Sequence, residues 1–241
     1  MDPLTATAAS GLRARMESLE LLANNVANAS TGGYKADREF YGLYSAAESE
    51  SGASMPLIER PWIDHAQGVI HATGNPLDVA LSGRGFFSVN GPRGPLYTRN
   101  GNFRLAGDGR LITSEGYAVR GNTGAPVTLE SGRTIDISAD GTIRQDGAVV
   151  GKLELVDFTS PDAIVKQGNN YFRSVDTLRG PAVTSGVTVE QGKLEASNTG
   201  SAESAVRLVN VMRQFEMLQK AVSLGLEMNR AAVEQVAKVG N

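Results

Sequence analysis

A chain of 241 residues that is 41% apolar and 20% charged, with a formal net charge of −3, has the composition of a globular protein able to bury a sizeable core. Mild acidity leaves no basic stripe for a nucleic-acid backbone, and the absence of cysteine excludes a disulfide framework or a thiolate metal site. No run approaches the ~18 consecutive apolar residues of a membrane span, and the acidic start MDPLTATAASG lacks the parts of a cleaved signal peptide, so neither membrane insertion nor signal cleavage is expected.

From Thr5 to Val26 the steps of three and four between Ala9, Leu12, Met16, Leu19, Ala23 and Val26 predict a helix with one apolar stripe. Opposite it Asn24, Asn25 and Asn28 share a face, in a stretch from Leu21 to Tyr34 that carries no charge. Ser30, Thr31, Gly32 and Gly33 then supply the stop. Asparagine is a mediocre helix former, so the amide face is either a fraying end or a surface covered by other helices. The polar stretch Glu48–Pro61, punctuated by Gly and Pro, reads as a linker or an exposed excursion.

Further on the period changes to two. Residues 77–90 run apolar around Gly83-Arg84-Gly85. Asn100-Gly101, Asp108-Gly109 and Glu115-Gly116 then mark turns at short intervals, repeated at Asp140-Gly141 and Asp146-Gly147. That pattern predicts a β-meander, and GKLELVDF adds a further strand carrying Leu153, Leu155 and Phe158. RGPAVTSGVTVEQGKLEASN leads back to a second long helix. In it Leu208, Phe215, Val222, Asn229 and Val236 recur every seven residues, with Val211, Leu218, Gly225 and Ala232 at the second seam position. The expected fold is α+β: long N- and C-terminal helices paired as a coiled-coil-like arm, with a mainly β middle body. The expected division is an N-terminal helix within residues 1–35, a connecting segment 36–75 to which 175–199 returns, a β-rich part 76–174, and a C-terminal helix within 200–241.

Candidate chemistry is thin. His65 and His71 lie six apart without a carboxylate or thiol array, so they read as surface or hydrogen-bonded histidines and no metal site is expected. Gly83-Arg84-Gly85 runs into the strand FFSV and not into a helix, which makes it a turn and not a dinucleotide loop. Asp108, Asp140 and Asp146 precede glycine in turns, where aspartate is favoured for backbone reasons; Asp78 does not. No catalytic residue and no cofactor are expected.

Three stretches together carry a resemblance: ANNVANASTGGYKADREF, then TGNPLDVALSGRGFFSV followed by YTRNGNFRLAGDGRLITSEGYAV, then LEASN ahead of the seamed helix. They resemble the bacterial flagellar basal-body rod and hook family, over roughly residues 1–40, 66–120, 150–173 and 187–230. DGTIRQDGAVVGKLELVDF and NNYFRS are most similar to its proximal-rod branch, with the distal-rod branch as the alternative. Where the family usually carries a hydrophobic residue after the motif that LEASN matches, and then a Glu-rich, apolar first turn, Thr199, Gly200, Ser201 and Ala202 stand, so packing at the start of the second helix is expected to differ.

The resemblance implies a structural subunit of the basal-body rod, in which the terminal helices build a helical tube that transmits torque to the hook. Its implied partners are copies of itself, other rod and neighbouring hook-basal-body subunits, and the flagellar type III export apparatus, which delivers such chains unfolded to the periplasm. The subunit interface is expected at Leu12, Met16, Leu19, Asn24, Asn25, Val26 and Asn28 on the first helix and Leu208, Val211, Phe215, Leu218 and Val222 on the second. Because lone helices of this composition are marginal in water, both arms are expected to order only on assembly. The competing classes are a periplasmic wall hydrolase and a secreted adhesive module.

Overall fold

The computed structural model describes residues 3–39, 41–45, 54–58, 61–158, 160–175, 181–184 and 186–239. The chain divides into two compact units: one of Met1–Ala27, Asp37–Asp64 and Gly200–Asn241, the other of Asn28–Ala36 and His65–Thr199.

The first unit contains the helices α1, Pro3–Ala27, and α2, Ser201–Val239. They pack on one another, but not as the coiled-coil-like arm the heptads predict. In α1 the buried positions are Gly11, Ala14, Ser18, Leu22 and Asn25, one step around from the expected stripe, of which Ala9, Met16 and Ala23 are exposed. The physical reason is size. The helix backbones approach through small residues, and a Cβ built on Gly11 would sit 3.7 Å from Leu218 Cδ1. Counting only large apolar side chains therefore finds the wrong side of the helix. α1 also packs against the strands Ser54–Ile58 and Asp37–Arg38, so it has more than one neighbour and not one seam. Finally, α2 has 39 residues against 25 in α1. At about 1.5 Å per residue the excess extends about 20 Å, more than a partner helix of that length can cover.

On α2 Ser204 and Val211 are buried and Leu208, Phe215, Leu218, Val222 and Gly225 half-buried, while Asn229 is exposed; the side chains of Ala232 and Val236 lie outside the described residues. Much of the expected linker Glu48–Pro61 also lies outside them. Within it Ser54–Ile58 is a strand antiparallel to Tyr41–Ser45, so this part is not a plain linker. A two-stranded ladder of Asp37–Arg38 with Trp62–Ile63 completes the described part of the unit.

The second unit is mainly β, and every ladder described in it is antiparallel. Its largest sheet is built around Phe86–Gly91, which pairs with Gly94–Thr98, Ala118–Val119 and Leu155–Asp157. Val79, Leu81, Phe87, Val89, Phe103, Leu111, Val119, Ile143, Leu153 and Val189 form the core on one side. Asp146 and Gly147, both with positive φ, make the tight turn between Thr142–Gln145 and Ala148–Lys152 as the Asp-Gly signal suggests. Asn100-Gly101 does not close a hairpin. Gly94–Thr98 pairs with Phe86–Gly91 and Tyr171–Ser174, whereas Phe103–Leu105 pairs with Leu111–Thr113.

Candidate functional site

In the first unit the expected interface residues fall into distinct settings. Leu12, Leu19 and Val26 are half-buried and Met16 is 52% exposed. Of the three amides only Asn25 is buried. Its Nδ2 donates to the Asp37 carbonyl at 2.8 Å and its Oδ1 accepts from the Asp37 amide at 3.0 Å. A side-chain amide reproduces the donor and acceptor of a peptide group, so Asn25 occupies the place of a neighbouring strand residue beside Asp37–Arg38. This is the physical use of an amide where an ion would have to be desolvated. Asn24 is exposed and lines a shallow groove with Glu17, Glu20, Leu21 and Pro61. Asn28 belongs to the second unit and accepts from the Thr31 hydroxyl at 3.2 Å and, through its carbonyl, from the Thr31 amide at 3.0 Å.

Along α2 Val206, Val209, Met212, Met217, Leu224, Leu226 and Met228 are 46% to 67% exposed. By helical spacing Val206, Met217, Leu224 and Met228 share one face with Val209 beside them, while Met212 and Leu226 lie on other sides of the helix. Scattered surface hydrophobics are ordinary, but apolar side chains that share an exposed face are the kind of surface interaction sites use. Near the start of α2 Arg207 donates to Glu39 at 2.9 Å, an ion pair within the same unit.

In the second unit the three sequence stretches that carry the resemblance meet at one buried carboxylate. Glu195 is the acidic residue of LEASN, and its side chain has no exposed surface. Lys35 Nζ donates to its Oε1 at 2.7 Å and Arg99 Nε to its Oε2 at 2.8 Å; the Gly68 amide donates to Oε1 at 2.9 Å. Lys35 spends a further proton on the Ala66 carbonyl at 2.7 Å. Arg99 gives three of its other guanidinium protons to the carbonyls of Gly83 at 2.9 Å, Gly85 at 2.7 Å and Leu81 at 3.2 Å. One carboxylate thus bridges two buried cations, and backbone carbonyls solvate what it does not neutralise.

Asn198, the last residue of the motif, acts as a second clamp. Its Oδ1 accepts from the Ala36 amide at 2.7 Å, its Nδ2 donates to the Ala66 carbonyl at 3.0 Å, and its own amide donates to the Tyr34 carbonyl at 3.2 Å. The close approach of these segments explains two glycines. A Cβ on Gly33, whose φ is 65°, would lie 2.4 Å from the Arg99 carbonyl carbon, and one on Gly68 would lie 2.1 Å from the Ala196 oxygen. Sequence reasoning did not single out Lys35, Arg99 or Glu195. Glu195 is the one charge in LEASN, but Lys35 and Arg99 stand among other charges in their stretches, and the pairings span 160 and 96 residues.

The remaining titratable groups are arranged for structure. His65 sits edge-on to Phe86 at 6.0 Å between centroids and is tilted against Phe172, while His71 is exposed on the strand Ile70–Ala72. Among the described residues no cluster of His, Asp and Glu is placed to hold a metal ion. Asp140 is held well below the usual carboxylate range, first by the Lys152 ammonium and then by Thr142. Asp108 is lowered by the Arg110 amide and side chain. Burial raises the Tyr171 phenol, whose hydroxyl donates to Glu115. Carboxylates lowered in this way stay ionised at neutral pH, the opposite of what a general acid needs.

Comparison with known proteins matches three family descriptions along the chain. "Flagella basal body rod protein" covers residues 6–35, "Flagellar hook protein FlgE/F/G D1 domain" 80–145, and "Flagellar basal body rod FlgEFG protein C-terminal" 190–235. Each of these ranges holds one member of the buried triad. The chain is 30% identical over 227 residues to the flagellar basal-body rod protein FlgF of Caulobacter vibrioides, covering 92% of each. It is 31% identical over 199 residues to the FlgF protein of Mesorhizobium japonicum, covering 82% and 83%. To the flagellar basal-body rod protein FlgG of Agrobacterium fabrum it is 32% identical over 251 residues, covering 92% and 95%.

Proposed function

The chain belongs to the flagellar basal-body rod protein family, and from that membership we propose how this subunit works in the rod. It is a structural subunit of the flagellar basal body. Its terminal helices pack against copies of itself and of other rod or hook-basal-body subunits to build the axial part of a helical tube, through which torque passes to the hook. It reaches the periplasm unfolded, through the flagellar type III export apparatus. It acts by packing and performs no catalysis.

The single observation that carries this reading is the set of exposed Val, Leu and Met side chains along α2. A monomer that stayed one would leave this apolar surface wet, whereas neighbouring helices in a tube wall would cover it. Met16 and Asn24 supply the matching outer surface of α1. Leu12, Leu19, Val26, Leu208, Phe215, Leu218 and Val222, each half-buried within the chain, keep a face for a neighbour. Asn25 and Val211 contribute by holding the helices in shape, and Asn28 by ordering the turn that follows α1.

The proximal, FlgF-like position is favoured by length. The alignment to the Agrobacterium FlgG protein runs over 251 positions, more than the 241 residues of this chain, and so requires insertions; those to the FlgF proteins run over 227 and 199. The test is replacement of Met217 and Leu224 by glutamate in cells that depend on this gene. Each glutamate would be buried unpaired at a subunit contact, so rods lacking the subunit and loss of motility are expected. Normal motility with normal basal bodies would sink the proposal.

A further inference from the structure

The buried carboxylate of the second unit comes from the far end of its sequence, and so does a large part of what closes its core. The strand Thr188–Gln191 is, among the described residues, the strand partner of Val79–Ser82, whose Val79, Ala80 and Leu81 are almost wholly buried. Val189 enters the same core. Gln191 accepts from the Ile137 amide at 3.0 Å and donates to the carbonyls of Pro76 at 2.8 Å and Ile135 at 3.0 Å. Lys193–Glu195 then pairs with Ile70–Ala72, and Glu195 reaches Lys35 and Arg99.

From this convergence we infer that residues 188–198 gate the folding of the β-body: the described residues of 28–36 and 65–184 do not hold their native core until this segment docks. Two physical costs enforce the gate. Without the segment, Val79–Ser82 loses its ladder and the apolar side chains beneath it meet water. Without Glu195, Lys35 and Arg99 would be two like charges out of water that have lost the carboxylate they share, a state that a marginally stable domain does not tolerate.

The consequence is a matter of timing. Chains emerge N-terminus first, so most of the body is made before its closing segment exists. The body then stays open until Glu195 is available, which is a useful delay for a chain that must be handed on unfolded. The gate itself does not depend on that use.

Native-state hydrogen exchange on the full-length wild-type chain tests it. Val189, Gly192 and Ala196 donate their amides to Ala139, Asp78 and Val69, and Ser88 and Leu111 donate theirs within the body to Glu154 and Val127. If the segment is a gate, both groups exchange through the same opening and at the same free-energy level, since no folded body survives without the segment. Glu195→Gln should then speed both groups in parallel, by on the order of 100-fold or more, up to loss of protection throughout the body. Exchange of Gly192 and Ala196 roughly tenfold or more faster than Ser88 and Leu111 in the wild type would overturn the gate, because the body would persist with the segment undocked. So would acceleration confined to residues 188–198 in Glu195→Gln.

Discussion

At the level of single residues, side chains that bury charge or replace a peptide group carry most of the specificity. Removing one partner of a buried ion cluster strands the others, so Glu195→Ala is expected to destabilise the second unit by about 3–5 kcal/mol in denaturant unfolding followed by circular dichroism. Lys35→Met should cost less than Glu195→Ala, since it leaves the Arg99–Glu195 pair intact; an equal or larger loss would show that Arg99 does not neutralise Glu195. Asn25→Leu keeps the volume but takes this partner from both the amide and the carbonyl of Asp37. A loss of about 1–3 kcal/mol in the first unit is expected from the stranded backbone groups, and a change within error would mean that water replaces the amide freely.

The two helices and the β middle part were legible because their signals are local and repeated. Heptad spacing announces α2, and Asp-Gly turns such as Asp146-Gly147 announce hairpins whatever surrounds them. What was not legible depends on who the neighbour is. The buried side of α1 runs through Gly11, Ala14 and Ser18, and small residues carry no hydrophobic period. The strand Ser54–Ile58 was hidden in a stretch that reads as linker, and Asn169 and Asn170, both in the left-handed region, make a turn that Asn-Gly statistics do not flag. The triad needed a partner 160 residues away. The same distinction sets an expectation for the isolated monomer. α1 is tied down at Asn25 and packed on more than one neighbour, whereas α2 has no buried side chain among its described positions after Val211. Exchange should therefore be slow across Ser18–Leu22 and fast from Leu226 onwards in monomer, and slow in both once assembled. Uniformly slow exchange along α2 at monomer concentrations would show that it needs no neighbour.

For the molecule as a whole, each unit buries its own specificity, and half of the large hydrophobic side chains exposed among the described residues lie along α2. That distribution suits a part that works by being stacked. The most direct measurement is a cryo-electron density map of isolated hook-basal bodies in which this subunit is located and its helices are traced. Met217, Leu224 and Met228 of α2 should be enclosed by helices of neighbouring subunits. Those same side chains facing open solvent, in a subunit held only through its β-body, would contradict the role assigned to the terminal helices.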